Sequence, residues 1–198
     1  MTEHRDYASD VAGLEAVRHP DHRMLLDFWY ASKPADGLPA RDGFDPATFR
    51  SMLPRIAVIE PCRVRDGRGT PAPQEGDAGD AAANAAGPTE NSFRYRLAGT
   101  EIVERAGRDP TGKTFDELYT GVYLETAKRT YEDIVVSRQP HFSQRVFPIG
   151  DGASALRYDR LILPFAKDGR TIDSFLLCIV VVEQTGTVQV EGSFRRYT

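Results

Sequence analysis

The stretch from Leu156 to Phe165 combines a tyrosine and an arginine with alternating apolar residues, a pattern that can build a binding site. Tyr158 and Arg160 fall on one side of an extended strand, whereas Leu161 and Leu163 fall on the other. A guanidinium can bind a carboxylate through two parallel hydrogen bonds. Ligand sites are usually apolar pockets with a few converging polar groups. We therefore interpret Tyr158 and Arg160 as candidate ligand-binding residues.

Two further arginines are candidates for the same role. Arg96 lies in an alternating strand, and Arg108 lies in a turn rich in glycine, aspartate and proline. We add both to the candidate set, in which an arginine would hold a small acidic ligand. The alternative is that these arginines form surface ion pairs, for example Arg160 with Glu101 or Glu104.

Other residue types that carry chemistry are not arranged for it. The histidines are His4, His19, His22 and His141, and no two have the spacing of a metal-binding helix. Cys62 and Cys178 lie in apolar runs without a Cys-x-x-Cys motif, which favours buried thiols in a reducing compartment. The sequence has no glycine-rich phosphate loop and no nucleophile elbow. We predict no metal site and no catalytic residues.

Composition and charge limit the possible partners. A net charge of −4 over 198 residues argues against a general nucleic-acid binder, which needs a basic surface. The polar N-terminus does not resemble a signal peptide. The longest apolar run, Phe175 to Val182, is far shorter than the about 20 residues that span a bilayer. We expect a cytoplasmic protein without a membrane or nucleic-acid partner.

The segment from Phe93 to Gly112 is the centre of the chain. It begins with the alternation of a strand that has one buried face, continues as a short helix from Thr100 to Ala106, and ends in a turn. Thr114 to Glu117 then reads as a capping box that opens another short helix.

The elements before this segment are an N-terminal helix and a first strand. Residues 1–19 carry little pattern and are expected to be flexible, and residues 20–51 are expected to form N-terminal helices. One face of the helix that begins at Pro20 carries Met24, Leu25, Phe28 and Trp29. These side chains either cover the sheet of their own chain or form a dimer interface. We predict a homodimer that uses them.

The remaining elements are one long helix and three strands. Residues 52–185 form the predicted domain, with a flexible insertion at 66–91 that lacks large apolar residues, and 186–198 form a tail. The inner stripe of the helix Gly121 to Ser137 is predicted to comprise Leu124, Ala127, Tyr131, Ile134 and Val135. The last strand is apolar on both faces, which predicts a central position in the sheet.

Four phrases of the sequence resemble a family of small bacterial proteins that consist of little more than one PAS domain. They are LLDFW at 25–29, MLPRIAVIE at 52–60, FRYRLAGTEIVERAGRDPTGK at 93–113 and YDRLILPF at 158–165. The resemblance covers most of residues 20–185. It implies an α+β fold with a five-stranded antiparallel sheet flanked by short helices, and an N-terminal amphipathic helix on the other side.

The resemblance also implies a function. It suggests a non-catalytic cytoplasmic sensory or regulatory module that binds a small molecule or a signalling protein and signals through self-association. The short helix after the second strand lacks the cysteine of flavin-linked PAS photosensors, and the long helix lacks the histidine of haem-binding ones, so no cofactor is expected. The alternatives are a ligand-free protein-interaction module and a small enzyme on a cone-shaped α+β fold.

Overall fold

A single antiparallel sheet forms the centre of the molecule. The computed structural model describes residues 9–10, 12–65, 68–71, 90–149 and 154–185. The strands are β1 (Ser9–Asp10), β2 (Ile56–Arg65), β3 (Arg68–Pro71), β4 (Glu90–Ala98), β5 (His141–Ile149), β6 (Ser154–Phe165) and β7 (Ser174–Thr185). They lie in the order β1–β5–β6–β7–β2–β3, and β4 also pairs with β2.

The five predicted strands lie next to one another in the order β4–β2–β7–β6–β5. This confirms the predicted α+β fold with its five-stranded antiparallel core. The central position of β7 is also confirmed, since Leu176, Leu177 and Cys178 are buried. The short strands β1 and β3 were not predicted, and they extend the sheet by pairing with β5 and β2.

Helices cover both faces of this sheet. They are α1 (Pro20–Ser32), α2 (Thr100–Ala106), α3 (Phe115–Leu118) and α4 (Gly121–Ser137), with 3-10 turns at Leu14–Ala16, Arg41–Gly43 and Arg50–Arg55. The predicted capping box at the start of α3 is confirmed: Thr114 Oγ1 accepts from the Glu117 amide, and the Glu117 carboxylate accepts from the Thr114 amide. Within the described residues, no helix is long and apolar enough to cross a membrane.

The outer face of the sheet is the one that α1 covers. Trp29 is fully buried there, and its indole N–H donates to the Pro164 carbonyl at 2.7 Å. His22 is also fully buried, with its Nε2 3.3 Å from the Cys178 carbonyl oxygen and its ring edge-on to Phe142. The predicted place of the N-terminal helix, opposite the other helices, is therefore confirmed.

The inner face carries Phe93, Tyr95 and Phe175 and is covered by α3 and α4. The Tyr131 ring of α4 lies 4.9 Å from the Phe175 ring and 5.0 Å from the Phe93 ring, measured between centroids. Phe115 of α3 lies 5.2 Å from Tyr131 in the same way. These rings fill the part of the inner face over β4, β2 and β7 with apolar core.

Three details differ from the predictions. Val135 was placed in the inner stripe of α4 but is 43% exposed, because its neighbour Ile134 takes the inward position in this turn and is 1% exposed. Val17, in the segment expected to be flexible, is 5% exposed and belongs to the core. Strand β3 lies inside the predicted insertion at 66–91. The rest of that insertion up to residue 89, and the tail at 186–198, lie outside the described residues.

Candidate ligand-binding site

Two of the four predicted ligand-binding residues share the inner face. Arg160 pairs with Ile179 of β7, and Tyr158 pairs with Val181. Both partners lie an even number of positions from Phe175, so both side chains belong to the inner face, which α3 and α4 cover. Arg160 is 7% exposed, and Tyr158 is partly buried.

The structure does not bring Arg96 and Arg108 to this place. Arg96 alternates with the inward-facing Tyr95, so it points to the opposite side of β4, where it is 67% exposed and lies 3.6 Å from Glu60. Arg108 follows α2 at the surface and donates to the Leu118 carbonyl at 2.8 Å. These two arginines are therefore not part of the inner-face site.

The hydrogen bonds of Arg160 are incomplete. Its Nε–H donates to the Ser143 hydroxyl at 3.2 Å, while its Nη2 has no partner. The alternative ion pairs with Glu101 or Glu104 do not form: Glu101 binds Arg105 at 2.8 Å and lies 3.7 Å from Arg55, and Glu104 is in no ion pair of the described residues. Among the described residues no carboxylate pairs with Arg160.

A second arginine at this place, Arg145, was missed by the sequence analysis. It lies on β5 directly opposite Tyr158, and Ser143 lies opposite Arg160, so all four positions share one face. Arg145 is partly buried, and its Nε has no hydrogen-bond partner. Burial lowers the pKa of Arg145, and the positive charge of Arg160 lowers this pKa further. The sequence signal that could have found Arg145 is its position two residues from Ser143, which places both side chains on the same face of β5.

Tyrosines of β4 and α4, together with Tyr119 after α3, lie at the inner face. The hydroxyls of Tyr95 and Tyr119 are hydrogen-bonded at 2.9 Å, and the ring of Tyr119 lies 4.9 Å from that of Tyr123. Burial raises the pKa values of Tyr119, Tyr123 and Tyr131, and the charges of Arg145 and Arg160 oppose this rise at Tyr123. These hydroxyls therefore stay protonated and can each donate a hydrogen bond.

The charge at the inner face is positive. Asp159, the acid next to Arg160 in sequence, lies on the outer face and accepts a hydrogen bond from Gln144 at 3.0 Å. Burial, with Arg160 and Arg145, lowers the pKa of His141 to about 4, so this imidazole is neutral at physiological pH. Two guanidiniums among neutral polar groups suit an anion.

A surface groove offers a weaker candidate. It is lined by Arg108, Asp109, Lys113, Glu117 and Leu118. Its two cationic side chains already have partners in the protein, since Lys113 pairs with Glu117 at 3.3 Å and Arg108 donates to the Leu118 carbonyl. In contrast to Arg160, both are also exposed to solvent, so neither needs a ligand.

The cysteines and potential metal ligands are not assembled into a site. Cys62 and Cys178 are both free and buried. Burial raises the pKa of Cys62 to about 11 and that of Cys178 to about 12, so both are protonated thiols. Within the described ranges, no three histidine, cysteine or acidic side chains come together as a metal site.

The residues predicted for a dimer interface are mostly buried within their own chain. Leu25 and Trp29 are fully buried under α1. Phe28 is partly buried, and its ring lies 5.2 Å from Phe49. Only Met24, at 42% exposed, keeps much of its surface free. Leu25 and Trp29 therefore cover the sheet of their own chain, and these two are not available to a second subunit.

Comparison with known proteins identifies a domain family that this chain is similar to. Residues 85–180 match a family model described as a PAS domain. No curated protein matches the sequence. The matched span contains β4, β5 and β6, the first part of β7, helices α2 to α4, and both inner-face arginines. With the strand order β4–β2–β7–β6–β5, the match shows that this chain folds as a PAS-like domain, a type whose general role is sensing or regulation.

Proposed function

We propose that this PAS-like domain is a non-catalytic sensor that binds a small acidic molecule at its inner face. The observation that carries the proposal is Arg160, which is 7% exposed, lacks a partner at Nη2 and forms no ion pair among the described residues. A buried charge without a counterion is costly, and a bound anion would remove that cost.

The groups near Arg160 support binding over catalysis. His141 is a weak base because its pKa is lowered to about 4. The pKa of the Tyr131 hydroxyl is raised by burial, which makes it a weak acid. General acid–base catalysis works best with pKa values near the operating pH, and these groups are shifted away from it. They can hold and orient a ligand without exchanging protons with it.

We further propose that the bound state is passed on by self-association or to a signalling protein. The support is the position of Arg145 and Arg160 on β5 and β6, where their charges act on the Tyr123 hydroxyl of α4. A ligand held by these strands and by α4 would change how α4 rests on the sheet. Such a change could be read by a second copy or by another protein at the surface of α4.

Native mass spectrometry of freshly purified protein, together with thermal-shift screening of neutral and acidic compounds, tests the binding proposal. We expect acidic compounds to raise the melting temperature, and we expect Arg160→Gln to abolish this shift. Arg96→Gln is the matched control, because Arg96 is 67% exposed and remote from the inner face. An acidic compound whose shift survives Arg160→Gln, or a screen and a mass spectrum both without any ligand, would contradict the proposal.

A further inference from the structure

Arg145 and Arg160 are diagonal neighbours on adjacent strands. The pairing of β5 with β6 is regular, with Ser143 opposite Arg160 and Arg145 opposite Tyr158. Diagonal positions on one face are about 7–8 Å apart between Cα atoms, within reach of long side chains. The two guanidiniums therefore project from one small area of the inner face.

This area holds two positive charges and, among the described residues, no carboxylate that pairs with either. Each arginine also keeps one nitrogen without a hydrogen-bond partner, Nε of Arg145 and Nη2 of Arg160. Like charges in a partly buried site repel each other. A ligand with one negative charge would neutralise only one of the two guanidinium charges.

The polar groups around the pair are neutral donors attached to aromatic rings. Tyr123 lies in the first turn of α4, where the charges of both arginines act on its hydroxyl. Tyr158 lies on β6 directly opposite Arg145 and two positions from Arg160. A purely inorganic ion would interact only with the two guanidiniums. An organic body of modest size would contact them, because aromatic side chains bind apolar surface well.

We propose that the ligand is a small organic dianion, in which the two negative charges bind Arg145 and Arg160. This inference rests on the ligand-binding role proposed above and adds the class of ligand and a second binding residue. Dicarboxylates and phosphate monoesters share the required chemistry. In either case, both guanidiniums gain the acceptors that the protein does not provide.

Matched pairs of ligands test the charge requirement on the full-length wild-type protein. We would measure affinity by calorimetry for phthalate against benzoate, succinate against butyrate, and phenyl phosphate against phenyl sulfate, so that each pair compares a dianion with a monoanion at constant ionic strength. In at least one pair we expect the dianion to bind at least about tenfold more tightly than the monoanion. A hydrogen bond to a charged group contributes enough free energy to lower Kd by about tenfold or more. The phthalate and phenyl phosphate arms separate carboxylate from phosphate ligands.

Variants then assign the second charge. Arg145→Gln should reduce the dianion to the affinity of its monoanion, whereas Arg96→Gln should change neither. A monoanion that binds wild type as tightly as its dianion would overturn the inference, and so would a preference that survives Arg145→Gln.

The two proposals fail in different ways. If monoanions bind, Arg160→Gln abolishes their binding and no dianion is preferred, the sensor proposal stands and the dianion inference is overturned. If no acidic compound of either charge binds wild type, both are overturned. The comparison of ligand pairs on wild type needs no variant, so a variant that fails to fold does not prevent the decision.

Discussion

At the scale of single residues, two histidines are held neutral by their surroundings. His22 is fully buried between α1 and the outer face, and burial lowers its pKa to about 4, although the Cys178 carbonyl, Asp159 and Asp21 act in the opposite direction. His141 has its pKa lowered to about 4 on the inner face. In the unfolded chain both would titrate near the ordinary value of about 6.5.

These histidines should make the domain less stable in mild acid. Between pH 6.5 and about 4 the unfolded chain binds more protons than the folded one, so the free energy of unfolding falls as pH falls. The stabilisation by a neutral His22 is complete above about pH 6.5 and lost toward pH 4, on the order of 3 kcal/mol at the limit. Urea unfolding at several pH values measures this dependence.

His22→Gln is the variant that isolates this effect. A glutamine amide can still donate to the Cys178 carbonyl, as Nε2 does in the native protein, but it does not titrate. We expect the variant to lose less stability than wild type between about pH 7 and about pH 5. Identical pH profiles for the two proteins would contradict the assignment to His22.

Part of the site could be predicted from residues alone. Alternation separated Tyr158 and Arg160 from the apolar side of β6, and the structure places both on the inner face. Arg96 was wrongly assigned to the site, because alternation separates the two faces of a strand without telling which of them is the inner face. Arg145 was missed since its neighbourhood depends on the pairing of β5 with β6, and pairing is a long-range property.

At the scale of elements, β7 lies in the middle of the sheet and pairs with β2 on one side and with β6 on the other. Leu177 is 3% exposed, whereas Ile179 on the same face is only partly buried. Leu177→Ala should therefore lower the free energy of unfolding by about 2–5 kcal/mol, and Ile179→Ala by less. Val182 is 50% exposed, and Val182→Ala should cost no more than about 0.5 kcal/mol. Urea denaturation curves of the three variants would show this order, and a small loss for Leu177→Ala would contradict the central position of its side chain.

The junction between β4 and α2 requires a glycine for space. Gly99 has an ordinary φ of −68°, but a Cβ on it would collide with the carbonyl oxygens of Leu53 and Pro54. These atoms belong to the backbone and cannot rotate away. Gly99→Ala should therefore lower the melting temperature, at a cost of about 1–3 kcal/mol.

Gly43 provides the matched control, since its Cβ would meet nothing within 4 Å. Gly43→Ala should leave the melting temperature nearly unchanged or raise it slightly. Equal effects of the two substitutions would contradict a steric role for Gly99.

Which elements could be predicted depended on the strength of local signals. The capping box of α3 and the alternation of β4 are local, and both were predicted. Strands β1 and β3 have no alternating apolar residues, and they form because a free strand edge is available next to them.

At the scale of the whole molecule, α1 has one face that completes the core and another that stays free. Trp29→Ala should cost about 3–5 kcal/mol, because it removes a fully buried indole and its hydrogen bond to Pro164. Met24→Glu changes a side chain that is 42% exposed and should leave the stability within about 0.5 kcal/mol. Thermal melts of both variants test this division.

The predicted homodimer remains a prediction, and its test must avoid the buried face. We expect sedimentation of wild type at micromolar concentration to give twice 22.0 kDa. If the free side of α1 takes part, Met24→Glu, which keeps the fold, should shift the equilibrium toward monomer. A wild-type monomer would contradict the dimer, and a dimer unaffected by Met24→Glu would place the interface elsewhere.

Trp29 is the only tryptophan of the chain, and this has an optical consequence. A buried indole should fluoresce at shorter wavelength than one in water, so the emission spectrum reports whether α1 rests on the sheet. The indole lies on the face opposite Arg160 and cannot touch a ligand bound at the inner face. A change in its emission when such a ligand is added would therefore record a signal that has crossed the sheet.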